Sequence, residues 1–352
     1  MISVVKRNAA GRAGTARLIS IAAALGAGAL VIAVLGFNPA VIYREIAVGA
    51  LGSAYSLKEV VRTAVPLVLM ALGVTLCFRL QFFNIGAEGQ FFMGATAASA
   101  VALNYPDMPA PVLIPLMMLA ALIGGGLWCL VPALLKLRFG TNETLVTLML
   151  NYIAVKFVAY LQFGPWKDPA SMGYPTIPMF SDNAVLPNLF GIHIGWVIAA
   201  VLFALISLLL ARTRYGYQVG VMGENPLTAR YAGFNTTWLL IATVTLGGGL
   251  CGVAGFIQAS AIEGSLTYTL SGGWGYTAII VAWLGKLKPL PVLAATLMIA
   301  ALVQGCAYIQ ISLGVPYFMA GIIQGMILFF VLASEFFINY RFVWKRGGKE
   351  AA

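Results

Sequence analysis

The residues that could do chemistry in this chain are few, and they sit in apolar surroundings. The segment Phe82-Phe83-Asn84-Ile85-Gly86-Ala87-Glu88-Gly89-Gln90 gathers a carboxylate, two side-chain amides and aromatic rings. Asn84, Glu88 and Gln90 offer hydrogen bonds to a polar solute or to freed backbone groups, Phe83 offers a stacking face, and Gly86 and Gly89 permit unusual backbone angles. A simple turn with Asn84 as a helix cap accounts for the same residues equally well. A second set is Thr141-Asn142-Glu143-Thr144 followed by Leu150-Asn151-Tyr152. Asn142 fits either a path residue or a helix cap ahead of an acidic first turn, and Asn151 either a solute path or an interhelical hydrogen bond.

Catalysis is not among the readings these residues support. His193 is the single histidine, which argues against proton relays and against metal catalysis by histidine clusters; alone, it reads as an interfacial polar group. No Ser/His/Asp or Cys/His set can be assembled, and no Gly-x-x-x-x-Gly-Lys-Ser/Thr loop occurs, so any ATP must be held by another subunit. Cys77, Cys129, Cys251 and Cys306 are far apart in apolar runs and read as small core residues. The chain is expected to carry no cofactor, metal or enzymatic activity of its own, which leaves transport as the main class.

The elements that must position these groups are membrane spans. Of 352 residues 61% are hydrophobic and 9% charged, against about a quarter charged in soluble domains. Apolar runs at 18–36, 63–78, 89–105, 110–135, 142–163, 191–211, 236–259, 265–285, 289–311 and 315–334 predict an all-α polytopic membrane protein of about ten transmembrane helices. The runs at 63–78 and 89–105 are short, so the connection between them could dip into the membrane, where irregular backbone needs protein or water around it. The run at 265–285 is interrupted by Ser271-Gly272-Gly273 and Gly275, leaving a half-helix over Trp274 to Gly285. The first run, about nineteen residues behind a basic start, is too long for a signal-peptide core and predicts an uncleaved span.

With both termini cytoplasmic, all of the 21 basic residues except Arg44, Lys58, Arg62, Lys156 and Lys167 fall on the inner side, as the positive-inside rule requires. The net charge of +10 is therefore a topology signal, and no basic block reads as a nucleic-acid patch. Lys156 is expected to snorkel outward. The proline-rich segment 164–178 predicts an extended outer loop, serving as a cover over helix ends or as a docking surface. Gly248-x-x-x-Gly252 predicts close helix packing, within the chain first. The two glycine-interrupted regions fall at similar places in two four-span sets, 61–163 and 236–338, of opposite orientation. That is the arrangement of an inverted repeat, which places a binding site between the halves, although no residue-level match links the sets.

Between the sixth and seventh runs lies Gly220-Val221-Met222-Gly223-Glu224-Asn225-Pro226 through Ala232-Gly233. Asn225-Pro226 can start a helix, with Ala229 and Gly233 as small residues on one face. This segment resembles the coupling-helix loop of permease subunits of ATP-binding-cassette importers, in the branched-chain amino acid and simple-sugar permease superfamily. Phe83 to Gln90, with Thr147-Leu148-Met149-Leu150-Asn151-Tyr152, is similar to the nucleoside-type branch. The likeness covers about 41–338; Thr228 replaces the first of the usual Ala-Ala pair.

The resemblance implies a single permease domain over 1–352, with membrane-spanning 18–338, a cytoplasmic coupling loop at 212–235, and cytoplasmic tails at 1–17 and 339–352. It implies that Gly223, Glu224, Asn225, Pro226, Ala229, Arg230 and Gly233 engage an ATPase subunit, which would bind ATP and Mg. Phe83, Asn84, Glu88, Gln90, Asn142 and Asn151 would line a substrate path. A second, paralogous permease, an extracytoplasmic solute-binding protein and the bacterial inner membrane complete the expected setting, with nucleosides or a related small polar solute as cargo. The alternatives are a simple-sugar permease, an ion-coupled secondary transporter and a membrane scaffold.

Overall fold

The computed structural model describes residues 2–6, 25–34, 36–315, 321–322, 325–326, 329 and 340–344. The chain divides into two compact units, one of residues 58–300, the other of residues 1–57 with 301–352. In order, the helices are α1 (Leu25–Val34), α2 (Pro39–Leu51), α3 (Ala54–Arg79), α4 (Ala87–Asn104), α5 (Ala110–Phe139), α6 (Glu143–Phe163), α7 (Gly195–Arg212), α8 (Arg214–Glu224), α9 (Pro226–Tyr231), α10 (Thr236–Gln258), α11 (Trp274–Leu284) and α12 (Pro289–Ser312). Among the described residues six helices are long and apolar enough to cross a bilayer: α3, α5, α6, α7, α10 with its π-helical continuation to Glu263, and α12. This is the architecture of a helical, multi-pass membrane protein.

Several expected boundaries move, each for a local reason. The run at 63–78 is the end of a 26-residue helix; its first turns carry Lys58, Glu59 and Arg62, which hydropathy excluded, and Arg62 pairs with Glu59 at 2.6 Å. The span expected from 191 starts at Gly195, because Asn188–Leu189 and Ile192–His193 form a short hairpin before it. The described part of the first run, α1, is followed by α2 at a bend of 115°, with Asn38 capping α2 through a bond from Ala40 N–H (3.0 Å). α2 lies outside the apolar runs that predict spans. The run at 265–285 is irregular up to Gly273 and then forms the eleven-residue α11, the expected half-helix. The run at 315–334 lies largely outside the described residues.

In the unit of residues 1–57 and 301–352, Ile32, Ile42, Ile46, Cys306, Ile309 and Val315 form a common core. In the unit of residues 58–300, α10 packs against α4 and α5 at backbone contact. A Cβ at Gly252 would strike Ala121 O, and one at Gly255 would strike Phe91 O, so only glycine allows the approach. The glycine stripe thus serves helix packing within the chain.

This unit has two distinct ends. At one, Arg62 Nη2 donates to Gly191 O (3.1 Å), Phe180 N–H to Gly264 O (2.8 Å) and Ser260 Oγ to Ala184 O (2.6 Å). The segment 164–194 lies here as a packed cover, burying Ile177, Phe180, Ala184 and Leu186. At the other, Arg79 Nε donates to Leu287 O (3.0 Å), Lys136 pairs with Glu143 (2.6 Å), and Tyr215 bonds Thr243 (2.6 Å). Arg79, Lys136, Arg138, Arg212, Arg214, Arg230, Lys286 and Lys288 belong to this second end, and Lys58, Arg62 and Lys167 to the first.

Candidate functional site

Two irregular connections meet inside the larger unit. The first runs from the end of α3 to Gly86, which starts α4 without a side-chain cap. Its polar groups are met by buried amides. Asn84 Oδ1 accepts from Gly86 N–H (2.8 Å) and from Gln90 Nε2 (2.9 Å), while Asn84 Nδ2 donates to Gln90 Oε1 (3.1 Å). From α6, Asn151 Oδ1 accepts from Gly89 N–H (2.8 Å) and Asn151 Nδ2 donates to Ile85 O (2.8 Å). Thr147, one turn before Asn151 on the same face of α6, accepts from Ile85 N–H (3.1 Å). Buried backbone groups away from water need such partners, and here a segment with no ladder of its own borrows them.

The second connection, 264–273, ends at α11. Gly272 and Gly273 have φ of +58° and +91°, left-handed values that suit glycine, and Gly273 supplies no side-chain cap. The cap arrives from α4: Glu88 Oε2 accepts from Gly275 N–H (2.7 Å) and Oε1 from Gly273 N–H (3.2 Å), with a further bond from the Ser271 hydroxyl. Ser271 Oγ accepts from Trp274 N–H (3.1 Å). Asn151 Nδ2 also reaches the Tyr276 hydroxyl (3.5 Å), so α4, α6 and α11 share one buried polar cluster.

The structure therefore brings Asn84, Glu88, Gln90 and Asn151 together and engages each with this chain's own groups. Asn151 takes the interhelical hydrogen-bond option. Asn142 stands apart as the exposed cap of α6, accepting from Thr144 N–H (3.0 Å). Phe83 is exposed and packs its ring edge-on to Phe78, centroids 5.7 Å apart; Phe78 also meets Trp283 at 5.7 Å. Thr147, Ser271 and Tyr276 were missed as site residues, although the i, i+4 spacing of Thr147 and Asn151 was a legible signal for the first. Trp128 Nε1 is buried with no acceptor and lies, like Asn151 Oδ1, 3.0 Å from a Cβ built on Gly89.

Two readings of single residue types gain detail. Cys77 and Cys129 both contact Asn84 Nδ2 at 3.6 Å, so cysteines distant in sequence converge, though all four remain free, buried core residues. His193 is buried, at 1% exposed, and among the described residues neither ring nitrogen has a partner. Burial, with the charge of Arg62 second, lowers its pKa to about 4.

At the basic end, Asn225 caps α9 by accepting from Leu227 N–H (2.9 Å) and Thr228 N–H (3.3 Å), with Pro226 at the first position. Before it stands a second helix, α8, within the expected coupling loop 212–235. Gly223 abuts Arg79 O. Ala229 is fully buried in its own chain, and Gly233 lies past the helix end at φ +77°, so the two do not share an exposed small-residue face. What α9 and its flanks expose is Glu224, Asn225, Pro226, Leu227, Thr228, Arg230 and above all Tyr231, at 92%. A cleft of about 650 Å³ beside α8 is lined by Arg79, Tyr217, Gly220, Gly223, Glu224 and Leu287 among others.

Comparison with known proteins fits this layout. The glucose ABC transporter permease protein TsgB13 of Haloferax volcanii is 33% identical over 95% of this chain and 91% of its own. The guanosine ABC transporter permease protein NupP of Bacillus subtilis is 31% identical, covering 90% of this chain and 92% of its own. The nucleoside ABC transporter permease protein NupB of Lactococcus lactis is 28% identical over 92% and 91%. The model of the branched-chain amino acid transport system / permease component family matches residues 56–332, and the chain belongs to that family.

Proposed function

We infer that this chain is the membrane-spanning subunit of an ATP-driven importer that moves nucleosides, or a related small polar solute, inward by alternating access. A separate ATPase subunit would supply the ATP chemistry, docking on α8 and α9. The observation that carries the reading is the pair of irregular connections joined through Glu88 and Asn151. Irregular backbone at membrane depth needs protein or a water-filled cavity beside it rather than lipid. Gly272, Thr269, Tyr276 and Phe83 are exposed along that region, which supports a solute path, and a second permease subunit, on this face. The clustering of basic residues at the α8 and α9 end supports a cytoplasmic location for it, with the cover 164–194 turned outward toward a solute-binding protein. The inner membrane of a bacterium is the setting.

A simple-sugar cargo is the second reading, favoured by the likeness to the Haloferax glucose permease. Uptake of labelled guanosine, uridine and glucose into proteoliposomes holding the assembled complex decides between them. ATP-dependent uptake of the nucleosides alone is expected. Uptake of glucose alone transfers the assignment to sugars, and uptake that follows a proton gradient without ATP rejects the importer. Tyr231→Ala should lower ATPase co-purification by about 10-fold, since an exposed aromatic anchor at an interface typically contributes over 1 kcal/mol; undiminished co-purification rejects α9 as the docking element.

A further inference from the structure

Among the residues grouped as a substrate path, Glu88 has a geometry unlike that of a solute ligand. Its carboxylate is buried, and its oxygens are taken by Gly273 N–H (3.2 Å), Gly275 N–H (2.7 Å) and the Ser271 hydroxyl. The partners are backbone groups and a hydroxyl, with no basic side chain among them. Compensation comes from two helix ends. Glu88 lies in the first turn of α4 and faces the first turn of α11, and each N-terminus carries roughly half a positive charge. Together they balance one carboxylate. The contact is close on both sides: a Cβ at Gly275 would sit 2.7 Å from both Glu88 Cα and Oε2.

What Glu88 holds is a short rod that reaches the other end of this unit. α11 has eleven residues, about 16 Å at 1.5 Å per residue. Just beyond its last turn, Leu287 O accepts from Arg79 Nε (3.0 Å). Arg79 and Leu287 also line the cleft beside α8 with Gly223 and Glu224. One end of α11 is thus pinned by Glu88 within the buried polar cluster, and the other adjoins the helices that face the ATPase in the reading above.

We propose that Glu88 is a positioning residue for transport: its carboxylate fixes the start of α11, so that movement at the α8 end is transmitted to the polar cluster rather than lost at the junction of α11 with the irregular 264–273 connection. The inference rests on the importer reading, and two measurements separate them. In Glu88→Gln the amide presents one acceptor and one donor to a set of donors, losing the charge and one backbone bond; Glu88→Asp keeps the charge on a shorter stem. With the full complex in proteoliposomes, Glu88→Gln should cut maximal uptake by about 10-fold or more, the scale of a lost hydrogen bond to a charged group. ATP hydrolysis should persist, so that solute moved per ATP falls, with the KM for solute unchanged; Glu88→Asp should recover part of the ratio. In nanodiscs, amide exchange at Gly273 to Tyr276 should rise about 10-fold in Glu88→Gln while α5 and α10 keep wild-type protection.

A raised KM at unchanged maximal rate would make Glu88 a solute contact and overturn the proposal. So would a wild-type ratio of solute to ATP in Glu88→Gln, or unchanged exchange at Gly273 to Tyr276. Should both variants lose transport and hydrolysis in parallel with thermal stability, Glu88 is merely structural, which also overturns it. A wild-type complex that shows no ATP-driven uptake rejects the importer reading instead, and the exchange measurement still decides whether Glu88 fixes α11.

Discussion

The two irregular connections solve one problem, unpaired backbone away from water, by different chemistry. The first, ahead of α4, is held by neutral groups: Asn84, Gln90, Asn151 and Thr147 give and take bonds in both directions. The second is tied to the cover and to α6 through Phe180 N–H to Gly264 O and Tyr268 N–H to Gln162 Oε1, and at its junction with α11 it is held by one carboxylate that only accepts. The first spreads its bonds, with two amides and a hydroxyl on separate backbone atoms. It also lies beside α4, which is locked to α10 at backbone contact, as the closeness of Gly94 to Gly252 shows. In the second, the start of α11 rests on Glu88 and Ser271. The contrast separates a connection whose bonds are spread over several neutral side chains from a helix start that rests mainly on one charged side chain.

The largest effect should come from the first connection. Asn151→Ala leaves Gly89 N–H and Ile85 O unpaired, at about 1–3 kcal/mol for each buried orphan. A loss of about 2–5 kcal/mol in thermal or denaturant unfolding of the purified protein is expected. Asn151→Asp, which still accepts from Gly89 N–H but no longer donates to Ile85 O, should lose less. A stability loss below about 1 kcal/mol for Asn151→Ala would mean that water or another group takes over, and the first connection would not be held in the way argued.

The next test compares glycines across the two connections. At Gly89 a Cβ would meet side-chain atoms of Asn151 and Trp128 at 3.0 Å, and backbone only at 3.1 Å, whereas at Gly275 it meets the Glu88 backbone. Side chains yield more readily than packed backbone. Gly275→Ala should therefore displace α11 from Glu88 and lower uptake by about 10-fold, with a stability cost of about 1–3 kcal/mol. Gly89→Ala should lower uptake by a smaller factor. The reverse order would show that α4, not α11, is the element whose placement limits transport.

Much of this arrangement was legible beforehand, for reasons that also explain the misses. The half-helix over Trp274 to Gly285 follows from glycines interrupting an apolar run, and the Asn225 and Asn142 caps follow from local chemistry with a clear residue signature. Hydropathy misjudged α3 because Lys58, Glu59 and Arg62 occupy its first turns, and it passed over α2 and α8, which are too short to register as spans. The pairing of Glu88 with Gly273 and Gly275 joins residues more than 180 positions apart. The sequence hinted that the two glycine-interrupted regions correspond, but it could not say that they touch. Nor could it show that Ala229 turns inward, since burial depends on what α9 packs against rather than on the size of its residues.

The smallest expected effect concerns a polar group that, unlike those of both connections, found no partner. His193 sits in the hairpin of the cover 164–194, buried beside Gly195 and Ile257, with its pKa lowered to about 4 by burial and by Arg62. An ordinary histidine titrates near 6.5. Because the folded value lies below the unfolded one, the unfolded chain binds more protons between about pH 6.5 and 4, and stability falls as pH drops through that window. Above pH 7 the imidazole is neutral in both states and contributes no pH dependence. At pH 5.5 the loss should be about 1.4 kcal/mol, one pH unit below the unfolded value. Unfolding measured at pH 7.5 and 5.5, in wild type and in His193→Leu, isolates this residue: the variant should lose that part of the acid sensitivity and keep the rest. An equal acid loss in both proteins would mean that His193 is protonated, and partnered, in the folded state. That outcome would remove the distinction between buried polar groups with partners and this one without.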